Sequence, residues 1–577
     1  MRKLLVYLRA YLRESILGPL LKLMEAALDL IVPLVVAAVI DHGIAAADHS
    51  YILKMCLLLI GIGVAGLLFS VTAQYFAAKA AVGFVTNIRT ALFRHIQSLS
   101  YSEMDSAGTS TLITRMTSDI NQVQNGTNLT LRLLLRSPFI VIGSMVLAFT
   151  IDLPSALIFA VAVPVLAAVV FGIMLWCIPL YKKVQSRLDS VTGITRENLT
   201  GVRVIRAFRK EEDEIGEFEN RNEILTKIQK FVGRISALMN PVTYVIVNLA
   251  IIWLIQTGAL RVDSGLLTQG AVVALYNYMS QILIELVKFA SFIISTTKAV
   301  ACGNRIQAVF ELQPSLKDGT ETVGNPQNKT AVEFRHVDLR YRNAGANALT
   351  DLNFTAARGE IVGIIGGTGS GKSSLVNLIP RFYDVTGGSV TVDGVDVRQY
   401  RLEALRRKIG IVPQKPVLFQ GTIRENIQWG KKDATDQEIM DAIATAQAKE
   451  VVDGKAGGLD FMIEQGGRNL SGGQRQRLTI ARALVRRPEL LILDDSASAL
   501  DFATDAALRR SISSLPEHPT VFLISQRTAS LQYADKIVVL EEGKIVGVGT
   551  HDDLLETCTV YREIYESQFK KDSPSAL

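Results

Sequence analysis

Apolar positions in this chain fall into two regimes. Before about residue 300 they gather in runs of about 20 residues or more, the length a helix needs to cross a bilayer. Six such runs are legible, at 15–40, 52–78, 129–150, 154–178, 238–260 and 270–296. The third and fourth are parted only by Ile151, Asp152, Leu153 and Pro154, which predicts a tight hairpin. The connections at 79–128 and 181–237 are polar but keep apolar positions at helical spacing. They predict helical extensions of the spans beyond the bilayer, because structureless loops of that length are uncommon. Short breaks near 101–108 and 208–213 are places where such extensions can dock on another domain. Past residue 331 the pattern changes to short apolar runs, such as Ile361 to Ile365 and Leu490 to Leu493, of the kind made by buried parallel strands.

Composition agrees with that division. Hydrophobic residues make up 49% of the 577 residues, and the mean hydropathy is +0.27. That is high for a soluble protein, and the length suffices for two or three domains. The expected organisation is an interfacial helix at 1–14, a membrane domain at 15–300, a linker at 301–331, an α/β domain at 332–567 and a tail at 568–577. At the start, Leu4, Leu5, Leu8 and Leu12 share one side of a helix, while Arg9, Arg13 and Glu14 break up any signal-peptide core. The net charge of +6 lies largely beside the apolar runs. It points to membrane topology rather than to a nucleic-acid partner. Lys3, Arg9 and Arg13 precede the first span, Lys79 to Arg136 follow the second, and Lys182 to Lys210 follow the fourth. The loops at 41–50 and 151–154 hold no Lys or Arg. By the positive-inside rule both termini and the C-terminal domain are expected in the cytoplasm of a multi-pass protein of the cell membrane. Cys56, Cys177, Cys302 and Cys558 are scattered and form no metal or disulfide framework.

Few charges interrupt the spans. Lys22 and Glu25, and Glu285 and Lys288, are spaced to pair on their own helices. Asp29 has no close partner in the sequence. Intramembrane ionisable groups face a cavity or a partner, so Asp29, Glu25 and Glu285 are the candidates for a substrate cavity. Gly61, Gly63 and Gly66 in the second span permit close helix packing.

Candidate chemistry lies in the second regime. Gly366, Gly367, Thr368, Gly369, Ser370, Gly371, Lys372 and Ser373 follow a strand pattern, and Ser374 continues into a predicted helix running to Ile379. That setting is the one a phosphate-binding P-loop requires: backbone N–H groups wrap the phosphates, Lys372 reaches the β and γ oxygens and Ser373 offers its hydroxyl to Mg²⁺. Asp494 ends a buried strand, and Gln414 is placed to reach the metal and the attacking water. Tyr341 is a candidate to stack on the adenine. Leu470, Ser471, Gly472, Gly473 and Gln474 open a long helix whose N-terminus makes an anion site. Asp501 follows the second carboxylate.

Taken together, the Walker A loop at 366–373, the signature at 470–474, the Walker B strand ending at Asp494 and the D-loop at Asp501 resemble an ATP-binding cassette. Six spans with long intracellular extensions, fused ahead of one cassette, resemble an ABC exporter half-transporter. The resemblance covers nearly the whole chain. It implies an all-α six-helix membrane domain of the type I (type IV) exporter fold plus a C-terminal α/β P-loop cassette. It implies ATP and Mg²⁺ as cofactors, the latter held by Ser373, Gln414 and Asp494. It also implies a second chain, because in this family each ATP lies between the Walker A of one cassette and the signature of the other.

Three positions depart from the family pattern, two of them at the chemical centre. Asp495 stands where the catalytic glutamate is expected, and Gln526 where the switch histidine is expected. Losing one methylene withdraws the carboxylate by about 1.5 Å, and a misplacement of about 1 Å can cost about 100-fold. A glutamine can donate a hydrogen bond but cannot carry a proton. Gln465, ahead of the signature, also replaces a common glutamate. The expectation is a translocase ATPase whose own site turns over slowly. It would pair with a half-transporter that keeps the glutamate and the histidine, and would export hydrophobic or amphipathic compounds of the multidrug type. A homodimeric lipid or peptide exporter and an ATP-gated regulatory membrane protein are the alternatives.

Overall fold

The computed structural model describes residues 1–325, 327–342 and 344–569. The expected tail therefore lies outside the described residues beyond position 569, as does Pro326 of the expected linker. The chain forms two compact units: Met1–Gln97 with Ser110–Leu312, and Ser98–Thr109 with Gln313–Leu577.

The first unit is helical. Among the described residues, six helical runs are long and apolar enough to cross a membrane: Lys3–Ile44, His49–Ser98, Thr109–Ile151, Leu153–Thr200, Glu211–Asp263 and Gln269–Phe310. Each outlasts its apolar stretch, so the polar connections are helical as their periodicity predicts. The hairpin between the third and fourth runs turns on Asp152, which caps the fourth by accepting from Ser155 N at 3.0 Å. Its other carboxylate oxygen meets Arg261 Nη2 at 2.7 Å, tying this turn to the far end of the fifth run. The core is built from Leu30, Ile140, Phe159, Leu254, Tyr278 and their neighbours. The most apolar window of the second span buries nothing within the chain. Gly61, Gly63 and Gly66 face open space there, so the close packing expected of them is not made. Close approaches occur elsewhere: a Cβ at Gly18 would come 3.4 Å from Ala77 N, and one at Gly126 would overlap the Ala299 methyl.

Charges inside this unit are networked. Lys22 Nζ lies 2.5 Å from Glu25 Oε2, and Lys288 Nζ lies 3.0 Å from Glu285 Oε1, so both predicted same-helix pairs form. Asp29 does have a partner, Arg136, at 2.9 Å. The opposite face of that guanidinium reaches Glu285 at 2.7 Å. Arg136 reads in sequence as one more cytoplasmic flanking cation. It instead turns into the bundle, where three carboxylates on the first and sixth helices need a counter-charge.

The second unit holds two main sheets. An antiparallel one runs in the order Leu349–Ala357, Thr330–Leu339, Gly387–Val392, Val395–Asp396. The other runs Lys544–Gly549, Lys536–Glu541, Ile361–Gly366, Thr520–Ile524, Leu490–Asp494, Ile409–Val412, parallel except for its first pair. Four of its strands are continuous apolar runs buried on both faces, as parallel strands are. Register aligns Ile524 with Asp494 and with Ile364, so the segments that follow these strands leave from one edge. Ligands of open α/β sheets bind at that carboxyl edge.

The short helix Tyr101–Ala107, at the first predicted break, belongs to this second unit. Tyr101 packs on Phe382 with ring centroids 4.5 Å apart. Asp105 accepts from the Tyr383 hydroxyl at 2.7 Å. Burial and this bond push the Tyr383 phenol up from its ordinary pKa. The second break, at 208–210, lies in the membrane unit with Phe208 73% exposed.

Candidate nucleotide site

The carboxyl edge of the parallel sheet opens onto a cavity of about 530 Å³. Tyr341, Thr368, Gly369, Gly371, Lys372, Ser373, Ser374, Gln414, Asp494, Asp495 and Gln526 all line it. Eleven sequence-predicted residues therefore meet in one place, although nearly two hundred positions separate the outermost. The loop at 366–373 wraps tightly because Gly369 and Gly371 take φ of +84° and +95°, a region that side chains disfavour. A Cβ at Gly371 would come 2.7 Å from a Leu349 methyl. The helix that follows, Lys372–Val376, is shorter than predicted and gives way to turns before Phe382. Its first N–H groups have no acceptor within the helix.

The polar groups are arranged by charge. Lys372 Nζ donates to the carbonyls of Gly366 and Gly367 at 2.9 and 2.7 Å. Burial lowers its pKa, against the pull of Asp495 and Asp494. Ser373 Oγ donates to Asp494 Oδ1 at 3.1 Å. Burial raises the Asp494 pKa, and neighbouring Asp495 adds to this, while the Ser373 bond and Lys372 work against it. A buried carboxylate whose one hydrogen-bond donor is a hydroxyl fits a cation. The oxygen set of Ser373, Asp494 and the Gln414 amide suits a hard ion such as Mg²⁺, which takes few protein ligands alongside substrate phosphates. The described residues hold no cluster of three or more His, Cys, Asp or Glu that would form an all-protein metal cage.

Asp495 faces Gln414 Nε2 at 3.4 Å. Its backbone sits at φ +47°, a left-handed conformation that aspartate tolerates better than most residues. Gln526 follows the strand Thr520–Ile524 with its side chain exposed toward the cavity. Tyr341 donates to, or accepts from, Ser374 Oγ at 2.8 Å and meets Tyr383 edge-on at 5.1 Å. Its ring is thereby fixed at the cavity wall.

The signature residues do not reach this cavity. Ser471 caps the helix Gly472–Leu484 in a reciprocal box with Gln474, and Leu470 is buried in the core. A Cβ at Gly473 would come 3.1 Å from the Ala499 carbonyl. Asp501 caps the helix Phe502–Ser513 by accepting from Thr504 N at 2.8 Å. Glu25, Asp29 and Glu285 lie together around Arg136 in the membrane unit. Sequence reasoning missed Glu542 and Gly543, which also line the cavity. Their positive φ marks a two-residue hairpin, and Glu-Gly between a continuous apolar run and an alternating one was the available signal.

Residues 15–286 match the ABC transporter transmembrane region, and residues 349–498 match the ABC transporter family. The chain is 37% identical to an ABC transporter ATP-binding protein of Bacillus subtilis (strain 168), YfiB, over 99% of each chain. It belongs to the ABC transporters. Within that family it is a half-transporter: one membrane domain fused to one ATP-hydrolysing cassette. It is 33% identical to a putative multidrug export ATP-binding/permease protein of the same bacterium, over 86% of this chain and 84% of that one. It is 32% identical to an ATP-dependent lipid A-core flippase of Syntrophus aciditrophicus (strain SB), over 85% and 81%. The structure of a bacterial Atm1-family ABC exporter with ATP bound superposes with a TM-score of 0.81, covering 99% of this ABC transporter and 100% of that chain at 23% identity. The fold is thus the ABC exporter fold expected from the motifs.

Proposed function

We propose that this ABC transporter is the slow-site half of a heterodimeric exporter of hydrophobic or amphipathic compounds. The observation that carries this reading is that Asp495 and Gln526 line the same cavity as Lys372, Ser373 and Asp494. Both departures thus fall on one nucleotide, whereas the signature is intact. ATP supplies the γ-phosphoryl whose transfer to water drives the cycle. Lys372 and the loop amides would hold its phosphates, and Ser373, Asp494 and Gln414 would hold Mg²⁺. Tyr341 would stack on the base. Asp495 would orient water from a carboxylate set too far back, and Gln526 would donate a hydrogen bond without moving a proton. Ser471, Gly473 and Gln474 would complete the partner's ATP site, where a glutamate and a histidine do most of the hydrolysis. Closure of the two cassettes in the cytoplasm would turn the spans outward and release substrate across the cell membrane.

The 33% relative is named as a putative multidrug export protein, which supports a multidrug substrate class. The 32% relative, a lipid A-core flippase, favours lipid as the substrate and so a second reading, in which this chain exports lipid as a homodimer. ATPase of the purified chain in nanodiscs, alone and with a co-expressed candidate partner, separates them. Slow turnover alone and fast turnover together supports the heterodimer. Brisk turnover alone overturns it in favour of the homodimer.

A further inference from the structure

The segment carrying Gln526 is fixed from two sides, and one of the fixings comes from the far end of the chain. On one side, the Arg527 guanidinium donates to the carbonyls of Leu500 and Ser498 at 3.4 and 3.5 Å and lies over the Phe502 ring. This joins the segment to the turn that bears Asp501. On the other side stands the helix Thr559–Phe569, anchored by fully buried Tyr561, whose hydroxyl lies 2.7 Å from His551 Nδ1. Gln568 lies seven residues, or two helical turns, past Tyr561 and so on the same face. Its amide oxygen accepts from Thr528 N at 2.9 Å and from Thr528 Oγ1 at 3.0 Å. Its amide nitrogen donates to the Gln526 carbonyl at 2.7 Å. One side chain thus spends three of its four hydrogen-bonding positions on the residues just before and after Arg527. A side chain this long orders at an entropic cost, which these three bonds offset.

We propose that Gln568 is a positioning residue for nucleotide turnover, through which the C-terminal helix sets where Gln526 stands at the cavity. The proposal rests on the reading of Gln526 as the switch position. It makes the C-terminal helix a control point: whatever draws that helix away would release the switch segment and slow the site without touching the nucleotide.

The test uses the full chain in nanodiscs, as wild type and as the Asp495→Glu/Gln526→His variant, each with and without Gln568→Ala. Hydrogen exchange at 525–531 should rise by about tenfold in Gln568→Ala, since the amide of Thr528 loses its acceptor. In the doubly substituted chain kcat should fall by about fivefold, the equivalent of one ordinary hydrogen bond, with KM for ATP changed by less than about twofold. Gln568→Glu keeps the acceptor but not the donor, so it should retain protection at Thr528 while losing turnover. Unchanged exchange in Gln568→Ala would overturn the proposal. So would a loss of kcat accompanied by faster exchange across the whole cassette and a lower melting temperature, which marks a merely structural role. If Asp495→Glu/Gln526→His fails to outpace wild type, the slow-site reading fails, and exchange at Thr528 still decides the place of Gln568.

Discussion

Replacing Arg136 by methionine removes a cation that faces three intramembrane carboxylates. The effect can be sized bond by bond. Arg136 Nη1 lies 2.7 Å from Glu285 Oε1, and the two side chains are only 13% and 5% exposed. Breaking a buried pair from one side strands a charge and costs about 3–5 kcal/mol. Lys288 still reaches Glu285 at 3.0 Å, and Ser137 Oγ donates to it at 2.7 Å, which favours the lower end of that range. The Asp29 contact at 2.9 Å involves a carboxylate that is 42% exposed, so its loss strands less buried charge than loss of the Glu285 contact does. The expected loss is therefore about 3 kcal/mol. Arg136→Lys should recover only part of it, since a single ammonium cannot span Glu285 and Asp29 as a guanidinium fork does. Unfolding in mixed micelles of increasing SDS content, followed by the fluorescence of Trp176 and Trp253 in the membrane unit, measures the change. In Arg136→Met/Glu285→Met both charges are gone, and the double variant should be more stable than Arg136→Met alone, with a coupling of about 2 kcal/mol. Additive losses from the two single substitutions would refute the claim that this pair joins the third helix to the sixth.

Other substitutions test the two nucleotide roles and the membrane carboxylate. Lys372→Ala should weaken binding of a fluorescent ATP analogue at this chain's site while leaving part of the hydrolysis by a co-expressed partner. Gly473→Asp, whose side chain would press on the Ala499 carbonyl, should instead abolish the partner's hydrolysis; equal effects from the two would mean equivalent sites. Asp29→Asn keeps the shape and loses the charge facing Arg136. A selective fall in export of cationic compounds in vesicles would place Asp29 in the substrate path. An equal fall for all substrates with lower expression would make it a strut of the bundle.

Much of the fold was legible because its periodicities are long. Runs of about 20 apolar residues and strands apolar on both faces admit few other readings. The nucleotide cavity was legible for a similar reason: the P-loop, Gln414, Asp494 and Gln526 each lie at or just past the end of a strand, and parallel register brings strand ends to one edge. What escaped were partnerships between distant residues of the chain. Arg136 is an ordinary flanking cation until the bundle places it between Asp29 and Glu285. Gly61, Gly63 and Gly66 carry a packing signal, but which helix a glycine meets depends on the fold, and among the described residues they meet none. Gln568 lies 42 residues from Gln526, with no pattern linking them. The left-handed backbone of Asp495 was also invisible. It adds a backbone cost of about 1 kcal/mol or more to any glutamate placed there.

On the proposed reading, Asp495 and Gln526 make this chain's own site slow. Single-site turnover of Asp495→Glu/Gln526→His against wild type, measured in nanodiscs with the partner's Walker A lysine replaced, tests it most directly. Restoring a carboxylate set back by about 1.5 Å and a proton-carrying switch should raise turnover by at least about 100-fold, with a slightly lower melting temperature from the strained backbone at 495. A wild-type site that already turns over as fast as the restored one would contradict the account.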